Sequence, residues 1–323
     1  MASPAYYWDL QKRMYGTERL KQRWRGFFFF LRCLIHKKLL LEMDAFFDRY
    51  QPLPHYTKQD EYFIDVINRV FLYKNSTAAQ RLEAIKQHFT ILEQLFTVES
   101  IRQMYSPEGY TLWQSPDESL PLKVRVIYLS GQRKEGFLTM HMTYEDHLMY
   151  QINFRFAYNP DGDICIYIGT LQGTPDGLAA SKKVTKKMFG YRPKNFIMHV
   201  MRIYAQTIGV AKLYAISDAG FYTNSHLIRG NRSKKTVFDP FWKDLGGVLS
   251  AEEPLFYTLP QQEPRKAYED IKPHKRNLYR KRFALLDTII PVFHEKICQT
   301  LLGSSHLPEE QLHPNSDIPN RDA

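Results

Sequence analysis

Near Pro107 the hydrophobic period of this chain changes from helical to two, and that switch constrains the fold more than any other feature. Upstream, apolar residues recur at spacings of three and four. Thr17–Leu34 and Lys37–Arg49 predict two aromatic-rich amphipathic helices, and Pro52 and Pro54 break the chain after them. Lys58–Tyr73 carries Tyr62, Phe63, Val66, Ile67, Val70 and Phe71, the apolar face of a further helix. Thr77, with Gln80 three residues on, forms a capping box for the helix that bears Leu82, Ile85, Phe89 and Leu92. Downstream, Val124, Val126 and Tyr128 alternate with Arg125 and Ile127. Phe137–Met142, Leu148–Tyr158 and Ile164–Leu171 follow as strands, and Asp161-Gly162-Asp163 marks a hairpin between the last two. An antiparallel meander over residues 120–171 is predicted.

The period then changes again. A helix opens at Pro193 and runs to Thr207 or Ile208, with Ile197, Val200, Met201 and Tyr204 in its buried stripe and Gly209 at its end. Lys212–Ser217 follows as a strand, so Ile164–Leu171, the helix and this strand make a β-α-β unit with a right-handed crossover. Phe238–Leu245 reads as a short helix closed by Gly246-Gly247, Leu255–Leu259 as a last strand, and Lys275–Cys298 as a helix broken at Pro291. The fold class is α+β. A helical N-terminal region, residues 1–105, packs on a core of residues 106–300 that holds a mostly antiparallel mixed sheet, the βαβ unit and a C-terminal helix. The polar stretch 303–323 is predicted to be disordered.

Charge is distributed unevenly. Residues 1–181 are nearly neutral, residues 182–282 carry 21 basic and 8 acidic side chains, and residues 283–323 are net acidic. An excess confined to one third of the chain points to an anionic ligand or partner there: a phosphate group, nucleic acid or an anionic membrane surface. Cys33, Cys165 and Cys298 are too few and too scattered for a disulfide framework or a CxxC zinc site, and the histidines are dispersed, so no metal is expected. No stretch is long and apolar enough for a transmembrane segment, and the N-terminus lacks the pattern of a signal peptide. A cytoplasmic location is the resulting expectation. The aromatic run Phe27-Phe28-Phe29-Phe30, flanked by Arg23 and Arg25, suits either a membrane interface or burial between helices. Four consecutive rings cannot share one helix face, which favours burial.

Several constellations carry candidate chemistry. The turn Gly190-Tyr191-Arg192-Pro193-Lys194 opens the long helix, whose tip exposes backbone N–H groups and the positive end of the dipole. Pro193 suits the first helical position. Lys182, Lys183, Lys186 and Lys187 lie just upstream as like-charged i,i+4 pairs, easier to understand with an anion nearby. Gly190, Tyr191, Arg192 and Lys194 therefore form a candidate phosphate cradle. The strand end Gly169-Thr170-Leu171-Gln172-Gly173 lies beside the crossover, where ligands approach backbone closely, so Gln172 and Gly173 join the candidate cofactor site. The polar loop after Ser217 offers His226 as a candidate base and Arg229, Arg232 and Trp242 as candidate substrate contacts. Asp239 is a second candidate base, or the cap of the helix through Trp242. The basic run Lys272–Arg282 is a solvated helix face or a phosphate track.

An ordered set of segments resembles the VirK/YbjX family of Gram-negative bacteria. They are Glu135-Gly136-Phe137-Leu138, Ile168–Gly173, Thr185–Lys194, Phe238-Asp239-Pro240-Phe241-Trp242, Tyr257-Thr258-Leu259-Pro260 and Lys275–Arg282. The resemblance implies a context of virulence, envelope stress and antimicrobial-peptide resistance, and it brings no established active site. The element order is also similar to that of the GNAT acyltransferases. That likeness implies an acyl-CoA donor whose pyrophosphate meets Gly190, Tyr191, Arg192 and Lys194, with an amine or hydroxyl acceptor. The competing expectation is a non-catalytic basic binding protein for nucleic acid or anionic lipid head groups. The acyl-donor reading requires an open helix tip. Tyr191–Lys194 sealed under other segments would count against it.

Overall fold

The computed structural model describes residues 3–175, 177–226 and 237–303. The polar tail read as disordered lies outside them beyond Gly303, as do Arg229 and Arg232.

The first helix, α1 (Pro4–Tyr15), was not legible in the hydrophobic period, but its ends are conventional. The Ser3 hydroxyl accepts from the Tyr6 N–H, Pro4 occupies the first turn, and the chain leaves through Gly16 at φ +73°. α2 (Leu20–Ile35) and α3 (Lys37–Arg49) follow. The stretch Lys58–Tyr73 is not one helix. It is α4 (Tyr56–Gln59), a 3-10 turn over Glu61–Ile64, and α5 (Asp65–Asn68), then extended chain. Tertiary bonds displaced the helical ones. Asp60 accepts from the Tyr62 N–H, the Tyr128 hydroxyl and the Ser130 hydroxyl, and the Leu72 N–H reaches the Lys134 carbonyl at 2.7 Å.

The capping box of Thr77 and Gln80 opens α6 (Ala78–Leu95), and α7 (Val98–Met104) completes the helical front. Arg81, on α6, is buried and donates to the carbonyls of Val66 and Ile67, which the broken helix leaves unpaired, and to the Ser76 carbonyl just before α6. Its guanidinium thus replaces the bonds that α5 lacks. Arg81→Met keeps the stem but strands three carbonyls, so urea unfolding should show a loss of about 2 kcal/mol.

The sheet has eight strands in the order β1-β2-β3-β4-β5-β6-β8-β7. β1 (Tyr110–Gln114), β2 (Leu122–Ile127), β3 (Leu138–Tyr144), β4 (His147–Tyr158) and β5 (Ile164–Gly173) form an antiparallel meander, one strand longer than the period predicted. After β5 come α8 (Leu178–Lys187) and α9 (Pro193–Thr207). β6 (Lys212–Ile216) then pairs parallel to β5, as the β-α-β reading required. α10 (Asp239–Asp244), the two-residue β7 (Val248–Leu249) and β8 (Phe256–Leu259) close the sheet antiparallel. α11 (Arg276–Cys298) is continuous through Pro291, which lies on its exposed side where the carbonyl it frees can meet solvent.

The two faces of the sheet differ in chemistry. Val124, Met140, Met142, Ile152, Phe154 and Ile168 point to the face that α9 covers, with Phe154 against Tyr204 at 6.0 Å. The opposite face of β2–β5 carries Arg125, Thr139, His141, Gln151, Asn153, Arg155, Thr170 and Gln172, placed together by the strand register. A polar sheet face is ordinary when it meets solvent. Here Thr139, Gln151, Asn153, Arg155 and Thr170 are buried.

Candidate functional site

Two glycines build the site on that polar face. Between β4 and β5 the register runs Asn153 to Thr170, then Phe154 to Ile168, so Gly169 is an extra residue in β5. A Cβ on Gly169 would lie 1.7 Å from the Glu135 carbonyl oxygen. Gly136 likewise presses close to β4, where an added Cβ would meet the Phe154 nitrogen at 2.5 Å. Only this pair of bare backbones lets the segment before β3 lie against the sheet. The result is that the Glu135 carboxyl enters the polar face.

There Glu135 Oε2 accepts from Asn153 Nδ2 at 2.9 Å and from Gln172 Nε2 at 3.0 Å. Asn153 is oriented from two further sides. It donates to Gln132 Oε1 at 3.2 Å, and its Oδ1 accepts from the Thr139 hydroxyl at 2.9 Å. Burial pushes the Glu135 carboxyl up to about 7, partly opposed by the Asn153 bond, the Lys134 charge and the Gln172 bond. Beside it, the Thr170 hydroxyl is buried with no hydrogen-bond partner among the described residues. A stranded hydroxyl next to a buried carboxyl marks a position for a ligand group or a water molecule. His141, further along the same face, is held down to about 4 by burial and the charge of Arg125. It is therefore a neutral imidazole near pH 7.

The cluster lies where the parallel pair comes apart. β5 and β6 are paired from Cys165 and Lys212 to Ile168 and Ala215, yet β5 continues to Gly173 without a strand partner on the β6 side among the described residues. The carboxyl ends of parallel strands are where α/β sheets bind ligands.

The residues singled out from sequence fall in different places. Gln172 belongs to the Glu135 cluster, and Gly173 is exposed at the end of β5. Gly190 is exposed at φ +76°, and Arg192 is exposed as the N-cap residue of α9. The open cradle needs correction at its other two members. Tyr191 is buried, its hydroxyl bonded to the Glu263 carboxylate, with the Arg282 guanidinium 5.7 Å from its ring. Arg282 also donates to the Phe189 carbonyl at 3.1 and 3.0 Å, so α11 roofs that turn. Lys194 is half-buried, its ammonium 3.7 Å from the Phe241 ring centre, and burial lowers its pKa.

Trp242 also needs correction as a substrate contact. It is fully buried and its Nε1 donates to the Ile216 carbonyl at 2.9 Å. Asp239 does not cap α10. Asp218 does, accepting from the Phe238 and Asp239 N–H groups at 2.8 and 3.3 Å, while Asp239 accepts from the Asp218 N–H at 2.6 Å. This reciprocal pairing ties the end of β6 to α10 and engages the carboxylate proposed as a base. His226 is exposed at the edge of the described residues. The aromatic run is split as well: Phe29 is buried, Phe27 and Phe28 are exposed. Part of the basic excess is structural. Arg202 is buried and donates to the Pro260 and Leu245 carbonyls, and Lys212 pairs with Glu252 at 2.8 Å. The sequence reading missed Glu135, Asn153 and Thr170, although Glu135-Gly136 and Gly169 stood in the motifs it noted.

No group of three or more His, Cys, Asp or Glu residues among the described residues is placed to hold a metal. No described helix is long and apolar enough to cross a membrane.

The structure is an α+β protein whose mixed sheet holds a buried carboxyl on its polar face, beside a diverging parallel strand pair. The chain belongs to the family described as "Protein of unknown function (DUF535)", whose profile matches residues 18–294, and the VirK/YbjX resemblance points to the same family. It is 26% identical over 230 residues to the uncharacterized protein YbjX of Escherichia coli (strain K12), covering 70% of this chain and 69% of that one. An uncharacterized protein of Haemophilus influenzae is 25% identical over 305 residues, covering 90% and 96%. A second from the same organism is 26% identical over 235 residues, covering 71% and 75%. No solved structure matches.

Proposed function

We propose that this chain is a GNAT-like acyltransferase in which Glu135 takes the proton of the acceptor. The observation that carries the reading is the buried Glu135 carboxyl, fixed by Asn153 and Gln172 beside the unpartnered Thr170 hydroxyl where β5 parts from β6. A carboxyl with a pKa near 7 is partly ionised at neutral pH and basic enough to accept a proton as a bond forms. The acceptor is an amine or hydroxyl, which loses its proton to Glu135 as its nitrogen or oxygen bonds to the acyl carbon; the carbon–sulfur bond of the thioester then breaks and the leaving thiolate takes up that proton from Glu135. The β5 edge past Ile168 offers backbone N–H groups toward the acyl carbonyl oxygen. An acyl-CoA or acyl-carrier thioester supplies the activated acyl carbon. Of the four cradle residues, Gly190 and Arg192 are exposed and could meet its phosphates, whereas Tyr191 and Lys194 are already engaged within the protein, which weighs against a full pyrophosphate cradle there. The VirK/YbjX resemblance favours an acceptor on an envelope precursor or a protein.

Mass spectrometry of small molecules retained by the purified protein identifies the donor class. A saturating acyl-CoA should raise the melting temperature, Arg192→Ala should remove the rise, and Glu135→Gln should keep it. No rise for the wild-type chain counts against an acyl-CoA donor.

A second reading is favoured by α8, where Lys182, Lys183, Lys186 and Lys187 are all exposed. They suit a polyanion such as nucleic acid. Binding of that kind should weaken steeply between low and physiological salt, and a flat salt response excludes it.

A further inference from the structure

α2 presents two apolar faces, and among the described residues only one has a partner. Its inner face is narrow: Gly26, Phe29 and Cys33 are buried, with Gly26 set against Gln11 of α1. That contact fixes the rotation of the helix. The outer face then carries Leu20, Trp24, Phe27, Phe28, Leu34 and Ile35, with Trp24 at 54%, Phe28 at 51% and Ile35 at 76% exposure. Spacing places these residues together as a stripe opposite the buried one. Trp24 contacts both phenylalanine rings, at 6.2 Å for Phe27 and 6.0 Å for Phe28, so the patch is contiguous. Isolated exposed apolar residues are commonplace, but a continuous aromatic patch on a fixed helix is not.

The patch is bordered by cations. Lys21, Arg23, Arg25 and Arg32 are all exposed on α2. Arg25, Phe28 and Arg32 also line a pocket of about 400 Å³ together with Tyr15, Arg69 and Lys134. Four of its six lining residues are basic and none is acidic, so its chemistry suits an anionic head group beside an apolar surface.

We propose that α2 is a docking surface for an anionic phospholipid bilayer. Trp24, Phe27 and Phe28 enter the interfacial layer, and Arg25 and Arg32 meet phosphate groups. Helices that lie in a membrane interface combine a rich apolar face with basic flanks in this way, and aromatic rings are enriched at that depth. Charge complementarity favours this occupant over a second copy. A two-fold pairing through α2 would bring the arginines that flank the patch toward their own counterparts. This inference is independent of acyl transfer and survives if that reading fails.

Co-sedimentation with vesicles, read alongside tryptophan fluorescence, tests it. Wild type should bind phosphatidylcholine vesicles containing phosphatidylglycerol, with a blue-shifted emission, and bind phosphatidylcholine alone far more weakly. Trp24→Ser with Phe28→Ser should weaken binding by about tenfold or more. Arg25→Gln with Arg32→Gln should weaken it by about thirtyfold and flatten its salt dependence. All four side chains are exposed, so an unchanged melting temperature confirms that each variant is folded. The proposal is overturned if wild type ignores anionic vesicles or if both folded variants bind as wild type does. It is also overturned if wild type self-associates through the patch and the aromatic variant alone is monomeric, which makes the occupant a second copy.

Discussion

Gly169→Ala is expected to destabilise the protein by about 3 kcal/mol or more, an unusually large effect for one methyl group. The new Cβ would need the space 1.7 Å from the Glu135 carbonyl oxygen, and the obstructing atoms are backbone rather than the end of a flexible side chain. That backbone has little freedom to retreat. The Glu135 N–H bonds the Gln132 carbonyl at 2.9 Å, the Lys134 carbonyl holds Leu72, and the Phe137 N–H bonds Phe154 at 2.9 Å. Relief means lifting the segment off the sheet, which breaks the bonds from Asn153 and Gln172 to Glu135 in the same movement. Gly131 is the natural control, because nothing lies within 4 Å of a Cβ added there. Urea unfolding of the two alanine variants should separate them by nearly the whole effect. Equal stabilities would mean that the close approach over β5 is not a property of the folded chain.

How much of this was visible beforehand depends on the range of the interactions. The β4–β5 hairpin at Gly162, the Thr77 capping box and the parallel β5–β6 pair rest on local signals or a short crossover, and they were legible. Lys58–Tyr73 has a helical pattern, but Asp60 and Leu72 find partners in residues 128–134, and a period cannot report that competition. Trp242 and Tyr191 looked like ligand contacts because aromatic residues beside basic turns often are. Their polar ends meet Ile216 and Glu263 instead, at separations no local window spans. Glu135 was hidden for the opposite reason. A single glutamate before a strand reads as a surface residue. Only Gly136 and Gly169 together, 33 positions apart in the chain, allow it to be buried.

Glu135→Gln should make the protein more stable at alkaline pH while removing its proton acceptor. In the unfolded chain this carboxyl titrates near its ordinary value of 4.5, and in the fold near 7. Between those values the folded state holds a proton that the unfolded state has released. Stability must therefore fall as pH rises through that window, with the full penalty present above pH 7 and none below 4.5. The size is on the order of 3 kcal/mol. Glutamine stays neutral and keeps an oxygen to accept from Asn153 and Gln172, so it avoids the penalty. The gap between variant and wild type should be small near pH 4.5 and grow toward pH 8, as read from unfolding curves at both values. In a transfer assay the same glutamine should lower turnover by roughly a hundredfold to ten-thousandfold, the usual range for loss of a general base. Stability gained together with activity lost is the signature of a group kept in an unfavourable setting for its chemistry. Parallel pH profiles for wild type and Glu135→Gln would show a carboxylate as well solvated as any on the surface, with no reason to take a proton from an acceptor.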